Sequence, residues 1–129
     1  MARAKMGASH GWNGNYVESA TASFSLAPGD SGKTFILKDA AVTVTLPSLS
    51  DINAGYKVTL ISGDDSEHVI AGADSKLYGT IVQVTASAAN ERIAAASGYT
   101  LAAGEIGDMF HIISDGTNWY ISGFTNAGA

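Results

Sequence analysis

From residue 22 onward, apolar and polar residues alternate in short segments that end at turn residues. The segment Val42–Leu46 is the clearest case, because its three aliphatic residues fall on one face of a strand and its two threonines on the other. Pro47 then ends the strand. On this pattern we predict eight strands: Ala22–Leu26, Thr34–Lys38, Val42–Leu46, Tyr56–Ser62, His68–Ala71, Thr80–Ala86, Met109–Ser114 and Trp119–Phe124.

The last two predicted strands have the signature of a hairpin. The dipeptide Asp115-Gly116 separates two apolar segments, as expected for a tight turn between antiparallel strands. In the second strand Trp119 and Tyr120 must point to opposite faces, so one of them faces the core and the other lies at the surface or in an interface.

One segment has helical propensity. Ala86–Ala96 is rich in alanine, but Ile93 is its only large apolar residue, so we expect at most a turn or two of helix there.

Short strands without strand–helix alternation indicate an all-β fold, and we predict a small antiparallel β-sandwich with a jelly-roll-like order. Residues 1–20, interrupted by several glycines, are predicted to form an extended N-terminal arm, and residues 21–129 the sandwich domain.

The amino-acid composition excludes several classes of site and favours a protein that is buried against other subunits. The chain has 129 residues, which suits one domain, and only 15% of them are charged, against roughly 25% in typical soluble domains. A surface poor in charge and rich in small residues suits burial against other subunits. The absence of cysteine excludes disulfides, cysteine-ligated metals and thiol nucleophiles. No signal-peptide core or membrane-spanning stretch is found, so we expect no membrane association and synthesis in a host cytoplasm.

The net charge of −5 is unevenly distributed. Residues 1–17 contain Arg3 and Lys5 and no acid, whereas residues 18–129 contain five basic and twelve acidic residues. An acidic body argues against nucleic-acid binding, which depends on clustered Lys and Arg.

Two segments fit motifs of nucleotide-binding or hydrolytic enzymes without the surroundings those motifs need. Ala27–Thr34 fits a relaxed phosphate loop, which must lead into a helix, but Phe35–Lys38 has the pattern of a strand. We therefore interpret Pro28–Gly32 as a turn between strands. Gly7–Gly11, with Ser9 at its centre, fits a nucleophile elbow but has no preceding strand. We expect no enzymatic activity.

The densest acidic group contains Asp64, Asp65, Glu67 and His68. These groups can in principle hold a divalent cation, but their spacing matches no calcium loop, and we expect solvated side chains at a hairpin tip. His111, between two apolar strand residues, is expected to be a core or interface imidazole. We predict no metal site and no cofactor.

The segment from Phe24 to Gly123 resembles a structural module of bacteriophages. Similar strings occur in capsid decoration proteins and in tail or fibre proteins, where an opening strand, a Leu-Pro corner and a terminal Asp-Gly-x-x-Trp hairpin close a small β-sandwich. The segments that carry the resemblance are Leu26–Phe35, Val42–Pro47, Ala54–Ile61 and Ser114–Tyr120. Because the tail and fibre versions are usually modules of longer chains, we expect a decoration, or cement, protein.

This resemblance implies a non-enzymatic virion protein on the capsid surface. We expect it to form a homotrimer or another small oligomer and to bridge neighbouring subunits of the major capsid protein. Arg3, Lys5, Trp12 and Tyr16 are the residues of the arm expected to contact the shell, two by charge and two as aromatic anchors.

The alternative is a fibre, spike or tail-associated component that recognises a host surface glycan. In that case exposed aromatic residues would stack on sugar rings. The candidates are Trp12, Tyr16, Trp119 and Tyr120.

Overall fold

A computed structural model describes residues 16–84, 90–101 and 105–126 of the chain. These residues contain eleven β-strands and two short 3₁₀ turns, Pro28–Asp30 and Leu49–Asp51. The strands are β1 (Val17–Ala20), β2 (Phe24–Ser25), β3 (Thr34–Leu37), β4 (Thr43–Thr45), β5 (Lys57–Ser62), β6 (His68–Ala71), β7 (Leu77–Gln83), β8 (Glu91–Ala96), β9 (Tyr99–Leu101), β10 (Met109–Ser114) and β11 (Trp119–Thr125). No helix in these ranges is long and apolar enough to cross a membrane.

The strands form two sheets, which confirms the all-β sandwich prediction. The long sheet has the order β1-β3-β5-β10-β11-β7-β8, and the short sheet has the order β2-β4-β6-β9. The predicted hairpin is confirmed: β10 and β11 pair antiparallel, with Ser114 opposite Trp119. They lie near the centre of the long sheet.

The first six strands alternate between the two sheets, so the chain winds like a two-sheet β-helix. Strands β1, β3 and β5 pair in parallel in the long sheet, and β2, β4 and β6 do so in the short one. Of the nine pairings in the described ranges, five are parallel and four antiparallel, so the sheets are mixed rather than antiparallel throughout. Periodicity and turn residues predict the strands but do not specify these crossings between sheets.

The core lies between the sheets and is made of alternate residues of both. Trp119 is its largest fully buried side chain and packs edge-on against Tyr56, with ring centroids 5.8 Å apart. Tyr99 and Phe110 make a second aromatic contact, at 5.7 Å, between the short and the long sheet. The prediction that Trp119 and Tyr120 point to opposite faces is confirmed, since Tyr120 is 39% exposed.

The helix expected at Ala86–Ala96 is wrong for the part that the structure describes. Glu91–Ala96 is strand β8, which pairs antiparallel with β7 at one edge of the long sheet. Ile93 is 5% exposed in the core. With a single large apolar residue, a helix would bury little surface, whereas the strand buries Ile93 and also satisfies its backbone against β7.

The last four residues of the predicted arm are part of the long sheet. Val17–Ala20 forms the edge strand β1, which pairs in parallel with β3. An ion pair between Lys33 Nζ and Glu18 Oε2, 2.6 Å apart, adds a side-chain contact.

Strand β9, which the sequence pattern did not predict, pairs with β6 at the edge of the short sheet.

A glycine in the middle of β7 provides a stability test. A Cβ on Gly79 would lie 1.8 Å from the carbonyl oxygen of Ile121 on the neighbouring strand, and its φ of +154° disfavours other residues. We expect Gly79→Ala to lower the free energy of unfolding by about 3 kcal/mol, measured by urea denaturation. In the matched control, Gly29→Ala, the new Cβ meets nothing within 4 Å, and we expect a change below about 0.5 kcal/mol. Equal effects would contradict the close approach of β7 and β11.

Candidate functional site

The segment that fits a phosphate loop is a structural turn. Pro28–Asp30 forms a single 3₁₀ turn and strand β3 follows, so no helix end is available to hold a phosphate. The turn is anchored by Tyr56, whose Oη donates a hydrogen bond to the carbonyl of Ala27 at 2.7 Å. The predicted turn between two strands is therefore confirmed.

Lys33, the lysine of this segment, is engaged by two carboxylates. Its Nζ lies 2.6 Å from Glu18 Oε2 and 3.0 Å from Asp30 Oδ1. The hydrogen bond to Glu18 contributes most to raising the pKa of Lys33, and the bond to Asp30 comes next. The lysine thus ties the edge strand β1 to the turn before β3.

His68 is a structural residue of the short sheet. It is 3% exposed; its Nδ1 accepts a hydrogen bond from the backbone N–H of Val42 at 3.1 Å, and its Nε2 therefore donates to Asp64 Oδ1 at 2.9 Å. Both ring nitrogens are used. Among the described residues, no group of three or more His, Asp or Glu side chains is placed to hold a metal ion.

Asp64 is held by several donors. Desolvation by burial opposes its ionisation, but hydrogen bonds outweigh it and keep the pKa of Asp64 below the ordinary value. The main donors are the backbone N–H of Ser66, 3.0 Å from Oδ1, and the ring of His68. The backbone of Asp39 and the side chain of Ser66 contribute further hydrogen bonds.

The outer face of the long sheet, on the side away from the core, is its solvent-facing surface. Five adjacent strands of this sheet, β3, β5, β10, β11 and β7, each contribute one outward-facing apolar residue. The pairing register places these five residues side by side in one row across the sheet. We name this row the apolar stripe; it consists of Ile36, Ile61, Met109, Phe124 and Val82. With strands about 4.8 Å apart, it crosses about 19 Å of the sheet. Phe124 is 45% and Val82 46% exposed.

A polar row runs beside the apolar stripe, two residues along each strand. Its members, in register order across the long sheet, are Thr34, Thr59, His111, Ser122, Thr80 and Arg92. His111 is exposed here, not in the core, and its Nδ1 lies 3.1 Å from Thr59 Oγ1. The sequence reading of His111 as a core imidazole is therefore wrong; an interface role stays a prediction.

Charge is distributed unequally between strands and loops. In the eleven described strands, the only acidic residues are Glu18 and Glu91, on the two edge strands of the long sheet. The only Lys or Arg residues in those strands are Lys57 and Arg92, and neither makes an ion pair within the described ranges. The acidic excess of the body therefore lies in the loops and at the edges.

Of the four arm residues predicted to contact a partner, one can be placed. Tyr16 is 46% exposed, and its carbonyl accepts a hydrogen bond from the N–H of Thr34 at 2.6 Å, so it leads into the edge of the long sheet. Arg3, Lys5 and Trp12 lie outside the described residues, as does the segment Gly7–Gly11.

The sequence analysis missed the apolar stripe, although the chain carries a signal for it. In several strands two or three large apolar residues are consecutive, as in Phe35–Leu37, Leu60–Ile61 and Ile81–Val82. Because neighbouring strand residues point to opposite faces, each such run places an apolar residue on the outer face. Only the sheet order brings these outward residues into one row.

No protein-family model matches the chain, and a search of the curated proteins finds no match to it.

The hydrogen bonds to Asp64 predict a pH dependence of stability. Because its pKa is lower in the folded chain than its ordinary value of 3.8, the ionised carboxylate stabilises the fold above that pH. This stabilisation is lost as the pH falls below 3.8 and through the lowered pKa. We expect Asp64→Asn to flatten the decline in the free energy of unfolding between about pH 5 and pH 2, measured by urea denaturation.

The matched control is Asp65→Asn, which removes the same charge from the exposed neighbour. If both variants change the pH dependence equally, the effect comes from net charge and not from the hydrogen bonds to Asp64.

Proposed function

We propose that this chain is a non-catalytic structural protein of a phage virion, which binds the outer surface of the assembled capsid and holds neighbouring major capsid subunits together. Two kinds of observation support the proposal. The first is the resemblance of the segment Phe24–Gly123 to phage decoration, tail and fibre modules. The second, which carries the choice of binding face, is the apolar stripe on the outer face of the long sheet.

The apolar stripe fits a protein partner better than free solvent. It runs across five strands as one continuous row, whereas exposed apolar residues on monomers are usually scattered. Covering the exposed halves of Phe124 and Val82 is worth about 1 kcal/mol each. Repeated over the many copies of a shell, such contacts would oppose the internal pressure of packaged DNA.

The charge distribution of the long sheet complements an acidic shell. Its outer face carries Lys57 and Arg92 and no carboxylate among the described strands, although the chain as a whole is acidic. A strand face without acids avoids repulsion from an acidic partner, and these two cations, which form no ion pair within the described part of the chain, favour the correct orientation of docking.

The arm extends the same surface in this proposal. Tyr16 and β1 lie at the edge of the long sheet, so the residues that precede them join the domain beside the proposed binding face. The 14 residues from Arg3 to Tyr16 are joined by 13 Cα–Cα steps and span at most about 45 Å when extended. In this proposal Arg3 and Lys5, which are farthest from the domain along the chain, contact a second capsid subunit, and Trp12 contacts the shell closer to the domain. The binding unit in this proposal is a homotrimer or another small oligomer.

The proposal favours binding over catalysis because the catalytic-looking groups that lie in the described ranges have structural partners. Lys33 is held by two carboxylates, and both ring nitrogens of His68 are hydrogen-bonded inside the short sheet. The exposed His111 has the hydroxyl of Thr59 as its hydrogen-bond partner, and no acidic residue lies on its strand.

A matched pair of substitutions tests the binding face. Val82→Thr makes the apolar stripe polar without changing side-chain shape, and Val69→Thr makes the same change on the outer face of the short sheet. We expect Val82→Thr alone to weaken binding to undecorated phage capsids about fivefold, because about 1 kcal/mol of apolar burial is lost. Val82→Thr combined with Phe124→Thr should weaken it by at least about tenfold, because about 2 kcal/mol is lost. Val69→Thr should bind like the wild type.

Co-sedimentation with capsids and imaging of the decorated shells measure this binding. A wild-type protein that does not bind capsids would overturn the proposed function. Binding that survives the double substitution would overturn the choice of face alone.

Truncation tests the arm separately from the fold. A chain that begins at Tyr16 lacks Arg3, Lys5 and Trp12 but keeps β1 and the Glu18–Lys33 ion pair. We expect it to unfold at the same temperature as the full chain and to bind capsids at least about tenfold more weakly, since two cations and an aromatic anchor are lost.

A chain that begins at Thr21 is the control, because it also loses β1 and should be less thermostable. If the chain that begins at Tyr16 binds as tightly as the full chain, the arm has no role in binding.

A further inference from the structure

A shallow groove lies on the outer face of the long sheet, at the end away from the apolar stripe. Tyr78 on β7 and Tyr120 on β11 are directly opposite each other on neighbouring parallel strands, and both face outward. Thr80 on β7, Arg92 on β8 and Asn118 in the β10–β11 turn also line the groove. Along β11, Tyr120 and Phe124 are four residues apart, or about 13 Å, so this groove and the apolar stripe are separate features.

The aromatic side of the groove is held in place by the hairpin turn. Tyr120 Oη donates a hydrogen bond to Asp115 Oδ2 at 3.0 Å. Asp115 Oδ1 in turn accepts the backbone N–H groups of Thr117 and Asn118, at 2.9 and 2.8 Å. These bonds, Asn118 first, then Thr117 and Tyr120, lower the pKa of Asp115. The ring of Tyr120 is therefore positioned before any ligand arrives, which reduces the entropy lost on binding.

The polar side of the groove offers unused hydrogen-bond donors. Arg92 lies opposite Thr80 on the edge strand β8, is exposed, and has no carboxylate partner in the described ranges. The side-chain amide of Asn118 makes no hydrogen bond to another described residue, although its backbone N–H is used in the turn. A planar guanidinium with five donors is suited to a carboxylate, and an amide is suited to hydroxyl groups.

We propose that this groove binds a saccharide that carries a carboxylate. The two tyrosine rings supply apolar surface for the faces of a sugar ring, and Arg92 and Asn118 supply donors for its carboxylate and hydroxyls. The capsid-binding proposal does not use Tyr78, Tyr120 or Asn118, but it shares Arg92 with this groove. A sugar titration of the chain without capsids therefore tests the groove separately from capsid binding. Of the two hairpin aromatics considered for stacking on a sugar ring, this site uses Tyr120. Trp119 is buried in the core, with 1% of its surface exposed.

Binding is tested by amide chemical-shift titration of the full isotope-labelled chain. The probes are methyl β-D-glucuronide and methyl β-D-glucoside, which differ only in the carboxylate, together with N-acetylneuraminic acid as a second acidic sugar. We expect at least one acidic sugar to shift the amides of Tyr78, Thr80 and Tyr120, and to bind about tenfold more tightly than the neutral glucoside. If neither acidic sugar shifts these amides, the proposal is overturned.

Substitutions separate a specific site from general attraction of anions. Arg92→Gln should remove the preference for the acidic sugar, whereas Lys57→Gln, which removes the other cation of the outer face, should leave it unchanged. Tyr120→Phe should weaken binding only slightly, because the ring remains but loses its hydrogen bond to Asp115, and Tyr120→Ala should abolish binding. Equal losses in Arg92→Gln and Lys57→Gln would show non-specific charge attraction and overturn the site, while circular dichroism verifies that each variant is folded.

Discussion

The register of the central hairpin β10–β11 is the constraint on which the rest of the long sheet depends. Side chains alternate between faces, so a slip of one residue would bury Tyr120 and Phe124 and expose Trp119. Both ends of the hairpin are held by a carboxylate. Asp115 accepts two backbone N–H groups at the turn, and at the other end the fully buried Asp108 accepts Thr125 Oγ1 at 2.7 Å and the N–H of Asn126 at 3.0 Å.

The winding of the first six strands determines where charge can lie. Each strand is followed by a crossing to the other sheet, so the chain has many short connections at the two ends of the sandwich. The acidic residues of the body lie in these connections, in the later loops between strands or on the edge strands, and the strand faces are left neutral or weakly basic. An acidic protein thereby presents broad surfaces on which a partner meets no carboxylate.

Much of the fold was predictable from local pattern, and the exceptions have physical causes. The alternation in Val42–Leu46 and the turn Asp115-Gly116 are read from neighbouring residues, and both are confirmed. The sequence pattern did not predict strand β8, because its alanines favour a helix locally. Pairing with β7 makes the segment a strand, and the paired residues are on average more than ten positions apart in sequence. The parallel pairs were missed because no local signal marks a crossing between sheets.

The sequence by itself determined the fold class, the opposite orientation of Trp119 and Tyr120, and the turn nature of Pro28–Gly32, since each depends on residues close together in the chain. Only the tertiary structure decided the apolar stripe and the tyrosine groove. The residues of the apolar stripe come from five strands, and those of the tyrosine groove come from three strands and the β10–β11 turn. They become neighbours through pairings such as that of β11 with β7. Outward-facing residues are not constrained by the core, so their positions follow from strand order, which the local pattern of residues does not encode.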